Sequence, residues 1–262
     1  MRFLIEEYER ENGWTDFGHK ARELGHEVSI IRADRITAVA RDLTVPTMML
    51  GTFQGIREAE QASPKIIVWT DWAAMNCLNW YPKFGQYLLN NDYSFVQVTE
   101  LLRQRWLYFK VFCNDTKIFV RPNLSTKPFT GQLMDLQDID KILTQQLSEE
   151  LVIVSSPKKI RGEWRFILSQ TGIVGLSSYS YRGNITTIPF APPKVKALAE
   201  RMISIGYFPK PLIVVDIAET FEDEVFLMEL NSFSSSGLYA CSNFAKEIIA
   251  VVEPYFGTSV YD

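Results

Sequence analysis

The sequence predicts a mixed α/β protein, in which a small open α/β lobe is followed by α+β lobes. Candidate strands and helices alternate over residues 1–90, which is typical of a largely parallel sheet. Later in the chain, apolar runs come in pairs joined by short turns, as in antiparallel hairpins. The chain has 262 residues, 47% of them hydrophobic and 22% charged, so it can bury a substantial core.

The N-terminal lobe is predicted from a strand in "RFLIEEY" and from helix, Gly25 turn and strand in "DFGHKARELGHEVSIIRAD". We expect Asp16 to cap that helix. Further strands are predicted in "PTMMLGT" and "PKIIVWT", with a helix in "FQGIREAEQA" between them. Residues 71–91 follow the last strand, where open α/β sheets bind ligands. They are interpreted either as a packed interlobe loop or as part of a substrate pocket.

The middle of the chain predicts a basic helix, a strand and a small polar loop. The helix, "SFVQVTELLRQRWLYFK", carries Lys110, and the strand "KIFV" leads into Arg121. Residues 123–131 then combine hydroxyl groups, a glycine and Lys127, which would let backbone N–H groups approach phosphate oxygens. The spacing is not that of a Walker A loop, and an ordinary basic surface loop fits equally well. "DLQDIDKILTQQL" predicts an amphipathic helix.

Residues 151–206 predict a short apolar strand, a hairpin and a helix. "LVIVSSP" is the strand, and "GEWRFILSQTGIVGLSSYSY" is a hairpin turning at Thr171–Gly172. Because side chains alternate along a strand, Glu163 and Arg165 project from the same face. A surface ion pair is the alternative interpretation. Arg182 lies just beyond the hairpin, and "PPKVKALAERMISIG" has the prolines and the glycine of a helix start and end.

The segment "LIVVDIAETFEDEVFLMELNSFSSS" contains two apolar runs joined by an acidic turn. If the runs are antiparallel strands, Asp216 and Glu229 lie on neighbouring strands, and Asn231 shares a face with Glu229. Buried carboxylates require a compensating cation, and oxygen ligands suit Mg²⁺ or Mn²⁺. The hairpin therefore predicts a metal site, the alternative being two solvent-facing carboxylates. "SNFAKEIIAVVEPYF" predicts a closing helix.

Composition argues against several classes of partner. The net charge of −4, from 27 basic and 31 acidic residues, provides no electrostatic footprint for nucleic acid. The three cysteines are widely spaced and indicate reduced thiols rather than disulfides or a zinc site. "MRFLIEEYERENG" is too acidic for a signal peptide, and no apolar run has the length of a membrane span. We expect a cytoplasmic protein.

From about Arg103 onward, the order of these segments resembles the ATP-grasp fold, over about 60% of the chain. The spacing from Asp216 to Glu229 and Asn231 is its most specific feature, and the size together with "FVRP…KPFTG" resembles a compact clade common in phages and bacteria. The preceding lobe is similar to a pre-ATP-grasp domain. The resemblance implies domains at 1–95 and 96–262, the latter holding ATP between two α+β lobes.

The resemblance also implies roles for individual residues. Asp216, Glu229 and Asn231 would hold Mg²⁺, with Mn²⁺ as the alternative, together with ATP. Arg121 stands where relatives have a phosphate-binding lysine, and Lys127 would supply the missing ammonium group. The remaining nucleotide-binding positions would be Lys110, the hinge residues Val154 and Ser155, and Glu163 at the ribose.

The implied activity is that of an ATP-dependent carboxylate–amine ligase acting through an acyl phosphate. Its partners would be a small-molecule or peptide carboxylate and an amine. Amino-acid ligases carry an arginine two positions before the metal aspartate, where this chain has Val214. Arg165 or Arg182 would supply that charge from a neighbouring strand. The alternatives are a kinase of the same fold, or a nucleotide-binding protein without turnover.

Overall fold

The computed structural model describes residues 1–8, 12–139 and 150–257. The predicted helix in "DLQDIDKILTQQL" falls largely outside these residues, from Asp140 onward. Within the described residues, no helix is long and apolar enough to cross a membrane.

The N-terminal lobe is a four-stranded parallel sheet in the order β2-β1-β3-β4. Its elements are β1 (Arg2–Glu6), α1 (Trp14–Glu23), β2 (Glu27–Ile31), α2 (Ile36–Arg41), β3 (Thr47–Leu50), α3 (Phe53–Ala62) and β4 (Ile66–Ile67). The predicted open α/β lobe is therefore confirmed. The expected cap is wrong: α1 begins one residue after Gly13, and Asp16 lies within its first turn. Asn12 Oδ1 instead accepts a hydrogen bond from the Trp14 backbone N–H, at 3.0 Å.

The second lobe is an antiparallel sheet in the order β5-β8-β6-β7. After α4 (Cys77–Phe84) come β5 (Ser94–Gln97), α5 (Val98–Arg103), α6 (Arg105–Phe112), β6 (Lys117–Pro122), β7 (Gln132–Asp135) and β8 (Leu151–Ser155). The predicted basic helix thus starts four residues late, because Ser94–Gln97 pair with β8. It is also divided at Gln104. Strand β7, which has no clear pattern in the sequence, pairs with β6.

The third lobe is a five-stranded antiparallel sheet in the order β11-β10-β9-β12-β13. It contains β9 (Ile160–Ser169), β10 (Gly172–Tyr181), β11 (Asn184–Ile185), α7 (Pro193–Ile205), β12 (Leu212–Thr220) and β13 (Val225–Ser232). A 3-10 helix (Tyr239–Phe244), α8 (Ala245–Val252) and α9 (Pro254–Gly257) follow. The first hairpin turns at Gln170 and Thr171, one residue earlier than predicted. Gly206 ends α7 in the left-handed conformation, as expected.

The five-stranded sheet is covered on both faces. Trp164 and Phe166 of β9 belong to a core that includes α4 and α7. On the other face, Ile167 and Val214 pack with α8 and with Phe3 of the N-terminal sheet. All nine residues of β12 are buried in consequence. The N-terminal lobe and the third lobe thus share a core, while the proposed division at residue 95 stays a prediction.

A close backbone contact joins the N-terminal lobe to the 3-10 helix. Gly13 has a φ of 81°, and a Cβ atom there would lie 2.4 Å from the Tyr239 carbonyl oxygen. The Tyr239 N–H also donates to the Asn12 carbonyl oxygen, at 2.7 Å. A residue without a side chain is required at Gly13 for two reasons, its left-handed backbone and this contact.

We predict that Gly13→Ala destabilises the protein more than Gly25→Ala. Gly25 has a similar φ of 86° but no atom near its hypothetical Cβ, so it isolates the backbone cost. Gly25→Ala should cost about 1 kcal/mol, and Gly13→Ala about 2 kcal/mol more, because the backbones must separate. Urea unfolding of both variants measures the difference. Equal losses would show that the contact contributes nothing.

Candidate functional site

The predicted metal-binding side chains lie together on β12 and β13. Asp216 is paired directly with Glu229 across the two strands, next to a bulge that follows this pair. Asn231 Nδ2 lies 3.2 Å from Asp216 Oδ2 and 3.1 Å from Glu229 Oε2. The three side chains therefore converge on one spot, as the spacing in the sequence suggested.

Three basic side chains from three elements neutralise the two carboxylates. Arg165 of β9 binds Asp216 through two parallel hydrogen bonds of 2.8 and 2.7 Å. Arg121 of β6 donates to Glu229 Oε1, and Lys127 lies beside Glu229 Oε2, each at 2.8 Å. Isolated charges at this depth would be strongly destabilising, so these pairs are a condition for burying the carboxylates.

The surroundings of Glu229 and Glu163 shift the pKa values of these two carboxyl groups in opposite directions. Burial alone would raise the pKa of Glu229, but Lys127 and Arg121 outweigh it and hold the pKa well below its usual value. Burial raises the pKa of Glu163, and the negative charge of Asp216 raises it further. Glu229 is thus the more firmly ionised group, while Glu163 lies close enough to the cluster to feel its charge.

The donor set fits a hard divalent cation that shares its coordination with phosphate oxygens. Asp216, Glu229 and Asn231 provide only oxygen ligands, the type that Mg²⁺ prefers. Among the residues that the structure describes, no three His, Cys, Asp or Glu side chains form a metal-binding group by themselves. Two carboxylates and one amide leave coordination positions for a substrate, as is usual for Mg²⁺.

The loop 123–131 is held against the cluster by the chain that follows β4. The Ser125 N–H donates to Asn76 Oδ1, and the Ser125 hydroxyl donates to the Trp72 carbonyl, both at 2.9 Å. Asn123 Oδ1 accepts from the Leu78 N–H at 2.8 Å. Lys127 itself adopts a left-handed φ of 48°. These contacts position the ammonium group of Lys127 at Glu229.

The predicted hinge residues Val154 and Ser155 end β8. The strand is paired on both sides through Val154, with β5 and with β6, and beyond it only Ser155 pairs, with Phe119. Ser155 is fully buried, and its hydroxyl group has no hydrogen-bond partner among the residues that the structure describes. After the strand, Asp92 accepts from the Ser156 N–H at 3.2 Å. Backbone N–H and C=O groups that are not paired on both sides within the sheet therefore begin at Ser155.

Two predicted basic residues are not brought to the cluster. Lys110 is exposed on α6. Arg182 is exposed in the turn between β10 and β11, where its guanidinium carbon lies 5.6 Å from the ring centre of Tyr181. Of the two arginines considered for the charge absent at Val214, Arg165 is the one that contacts Asp216.

A cavity of about 210 Å³ adjoins the cluster. Lys127, Arg165 and Asn231 line it, together with Asp71, Trp72 and Met75 from the segment 71–91. The serine segment, residues 232–237 after Asn231, contributes Ser232, Ser235, Ser236 and Gly237. The serine segment is fixed to the N-terminal lobe, since Ser234 Oγ accepts from the Trp69 N–H at 2.9 Å. The rest of 71–91 mostly packs in the core, through Trp80, Tyr81 and Phe84.

Tyr239 ends the segment "NSFSSSGLY", which we expected to line the substrate side of the site, but no sequence pattern gave this tyrosine a role of its own. The Arg165 guanidinium carbon lies 5.1 Å from the centre of its ring, and Arg165 Nη1 donates to the Gly237 carbonyl at 2.8 Å. The cation–π contact and this hydrogen bond hold the guanidinium in addition to its bonds with Asp216. Tyr239 is the first residue of a short 3-10 helix that follows an irregular segment, so no periodicity marks it.

The fold of this chain is similar to that of several solved structures. D-alanyl-alanine synthetase A from Vibrio cholerae matches with a TM-score of 0.64 at 14% identity, covering 98% of this chain and 99% of that one. A RimK domain ATP-grasp protein from Sphaerobacter thermophilus matches with a TM-score of 0.59 at 13% identity, covering 95% and 100%. D-alanine–D-alanine ligase from Bacillus anthracis, complexed with ATP, matches with a TM-score of 0.59 at 12% identity, covering 97% and 96%. Among curated proteins, none matches this sequence.

The three-lobed architecture and these likenesses define an ATP-grasp fold, which confirms the resemblance found in the sequence. Residues 50–252 match the model of the ATP-grasp domain, R2K clade family 3, and the chain belongs to this family. The match extends from the end of β3 to the end of α8, so it includes every residue of the charged cluster.

We predict that Glu229→Gln destabilises the ligand-free protein by about 3 kcal/mol at pH 7, because it leaves buried Arg121 without its counter-charge. The pKa of Glu229 is lower in the folded chain than its ordinary value of 4.5. The stabilisation is therefore complete above that value and decreases as the pH falls below it. Urea unfolding between pH 7 and pH 3.5 measures this, with Glu224→Gln on the exposed hairpin turn as control. A difference between wild type and Glu229→Gln that did not change with pH would contradict the assigned ion pairs.

Proposed function

We propose that this protein is an ATP-dependent ligase that joins a carboxylate to an amine through an acyl phosphate. The observation that carries the proposal is the cluster of two carboxylates, one amide and three cations beside a cavity where the lobes meet. Membership in the ATP-grasp family supports ATP as the nucleotide. Two of the neighbours named above are a synthetase and a ligase by name, which supports the class of reaction.

In the proposed reaction, the residues of the cluster have different roles in phosphoryl transfer. Asp216, Glu229 and Asn231 would hold magnesium, which when bound neutralises charge on phosphate oxygens. Arg121 and Lys127 bring positive charge to the same side, so negative charge developing on the transferred group meets fixed cations. Loop 123–131 covers this place and excludes water that would hydrolyse an acyl phosphate.

The chemistry then proceeds in two steps. An oxygen of the substrate carboxylate attacks the γ-phosphorus, which forms the acyl phosphate and releases ADP. The amine nitrogen next attacks the acyl carbon, phosphate leaves, and the nitrogen loses a proton as the amide forms. Arg165 lines the cavity, and its guanidinium group is held by Asp216 and by the Gly237 carbonyl. We propose that its positive charge stabilises the acyl phosphate.

We predict that Glu229→Gln abolishes Mg²⁺-dependent ADP formation. Loss of one ligand charge weakens the metal site, and turnover should fall at least about 100-fold, as when other transition-state contacts are removed. ADP release during a screen of amino acids, peptides and carboxylates with amines measures it, with Glu224→Gln as control. Product analysis then separates an amide from a phosphoester. Full activity of Glu229→Gln would exclude the metal assignment, and a phosphoester would replace the ligase by a kinase.

Lys127→Ala should weaken ATP binding about tenfold, the effect of one charge-assisted contact of about 1.4 kcal/mol. Calorimetric titration with a non-hydrolysable ATP analogue and Mg²⁺ measures the affinity. Lys246→Ala, on the exposed face of α8, is the matched control. If both variants bind the analogue equally well, Lys127 has no part in holding the nucleotide.

A further inference from the structure

A second and larger depression lies next to the cavity. We call it the tyrosine groove and define it by Tyr8, Asn12, Tyr179, Ile185, Tyr239 and Asn243. Its volume is about 610 Å³, against about 210 Å³ for the cavity at the cluster. A volume of this size falls in the range of roughly 300–1,000 Å³ that encloses ligands much larger than one amino acid.

The tyrosine groove is connected to the cluster through Tyr239. One side of its ring lines the groove, and the same ring packs against Arg165, which binds Asp216. Gly237, two residues earlier, lines the cavity and accepts a hydrogen bond from Arg165. A ligand in the groove would therefore have one end beside the place where phosphoryl transfer is proposed.

The position of Tyr239 is determined by the N-terminal lobe. Its N–H donates to the Asn12 carbonyl, and Gly13 leaves room for its backbone. The ring of Tyr179 lies 5.1 Å from that of Tyr239. The groove is thus built by residues from two lobes, and its walls are in place without a ligand.

The charges of the tyrosine groove argue against a polyanion. Among the residues that the structure describes, its lining includes one carboxylate, Asp16, and one ammonium group, Lys20. Lys20 Nζ already donates to Asn243 Oδ1 at 2.6 Å. Nucleic acids are held by an excess of cations along the groove, and this balanced lining does not supply it.

The chemistry of the walls suits a polypeptide. Tyrosines offer broad and rigid contact surfaces, while Asn and Ser side chains adapt their hydrogen bonds to peptide groups, a combination that protein-binding surfaces favour. Here Tyr8, Tyr179 and Tyr239 line the groove together with the polar side chains of Asn12, Ser242 and Asn243. Ile185 is 78% exposed at the rim, where an apolar side chain of a ligand would cover it.

We propose that the tyrosine groove binds one of the two ligase substrates as an extended peptide segment, with its reacting end beside Tyr239. This inference rests on the proposed function and specifies its substrate class. A free amino acid would occupy the cavity alone and would leave the groove empty.

The test separates binding in the groove from turnover. A pool of random pentapeptides with a central benzophenone side chain is irradiated with the full-length protein, and the labelled residues are mapped by mass spectrometry. We expect label on residues of the tyrosine groove, reduced at least fivefold by Ile185→Arg. Phe190→Arg is the matched control, since Phe190 is exposed on the same segment but does not line the groove. Equal labelling of both variants, or label outside the groove, overturns the inference.

Release of ADP from Mg²⁺-ATP with the same pentapeptides, without the photolabel, gives the second measurement. We expect the peptides to stimulate it and Ile185→Arg to raise their KM at least fivefold. Stimulation by single amino acids that is insensitive to Ile185→Arg would overturn the peptide inference and leave the ligase intact. Groove labelling without ADP release under any condition would support the groove and count against the ligase.

Discussion

The site depends on the pairing of Asp216 with Arg165. Asp216 interrupts a strand in which every residue is buried, and a lone carboxylate there would be strongly destabilising. The guanidinium satisfies both carboxylate oxygens, and its remaining contacts are the Gly237 carbonyl and the ring of Tyr239. One side chain therefore joins β9, β12 and the segment before α8, which is why the cavity and the tyrosine groove meet at this point.

The parts of this arrangement that follow from local periodicity could be predicted. Alternation along β9 and β13 correctly placed Glu163 with Arg165, and Glu229 with Asn231, each pair on one face. The acidic turn between two apolar runs was enough to predict an antiparallel hairpin. Its register near the turn, with Ile217 opposite Leu227, would by itself place Asp216 opposite Met228. The bulge after Asp216 shifts the register by one residue and brings Asp216 opposite Glu229, and no pattern in the sequence marks this bulge.

The parts that depend on contacts distant in sequence could not be predicted. Ser94–Gln97 continue the pattern of the helix that follows, yet they form a strand because β8, more than 50 residues later, pairs with them. In the sequence, Arg165 and Arg182 were equivalent candidates for the charge absent at Val214. In the structure, Arg182 is exposed in the turn after β10, beside Tyr181. Tyr239 reaches the cluster through an irregular segment whose course is set by Gly13 in another lobe. In each of these cases the local structure is determined by tertiary packing, which cannot be recognised from a short sequence pattern.

The three cations of the cluster differ in how firmly they are held, and this difference has a consequence for the proposed reaction. Arg121 and Arg165 each bind a backbone carbonyl besides their carboxylate, and their side chains are only 9% and 14% exposed. Lys127 is 34% exposed and stands on a loop, with Glu229 as its partner. In the proposed reaction, Lys127 is accordingly the cation that would exchange the carboxylate for a phosphate oxygen at the lowest cost. Its departure would leave Asn231 Nδ2 as the contact of Glu229 Oε2. Metal binding at Glu229 and binding of phosphate by Lys127 would therefore favour each other.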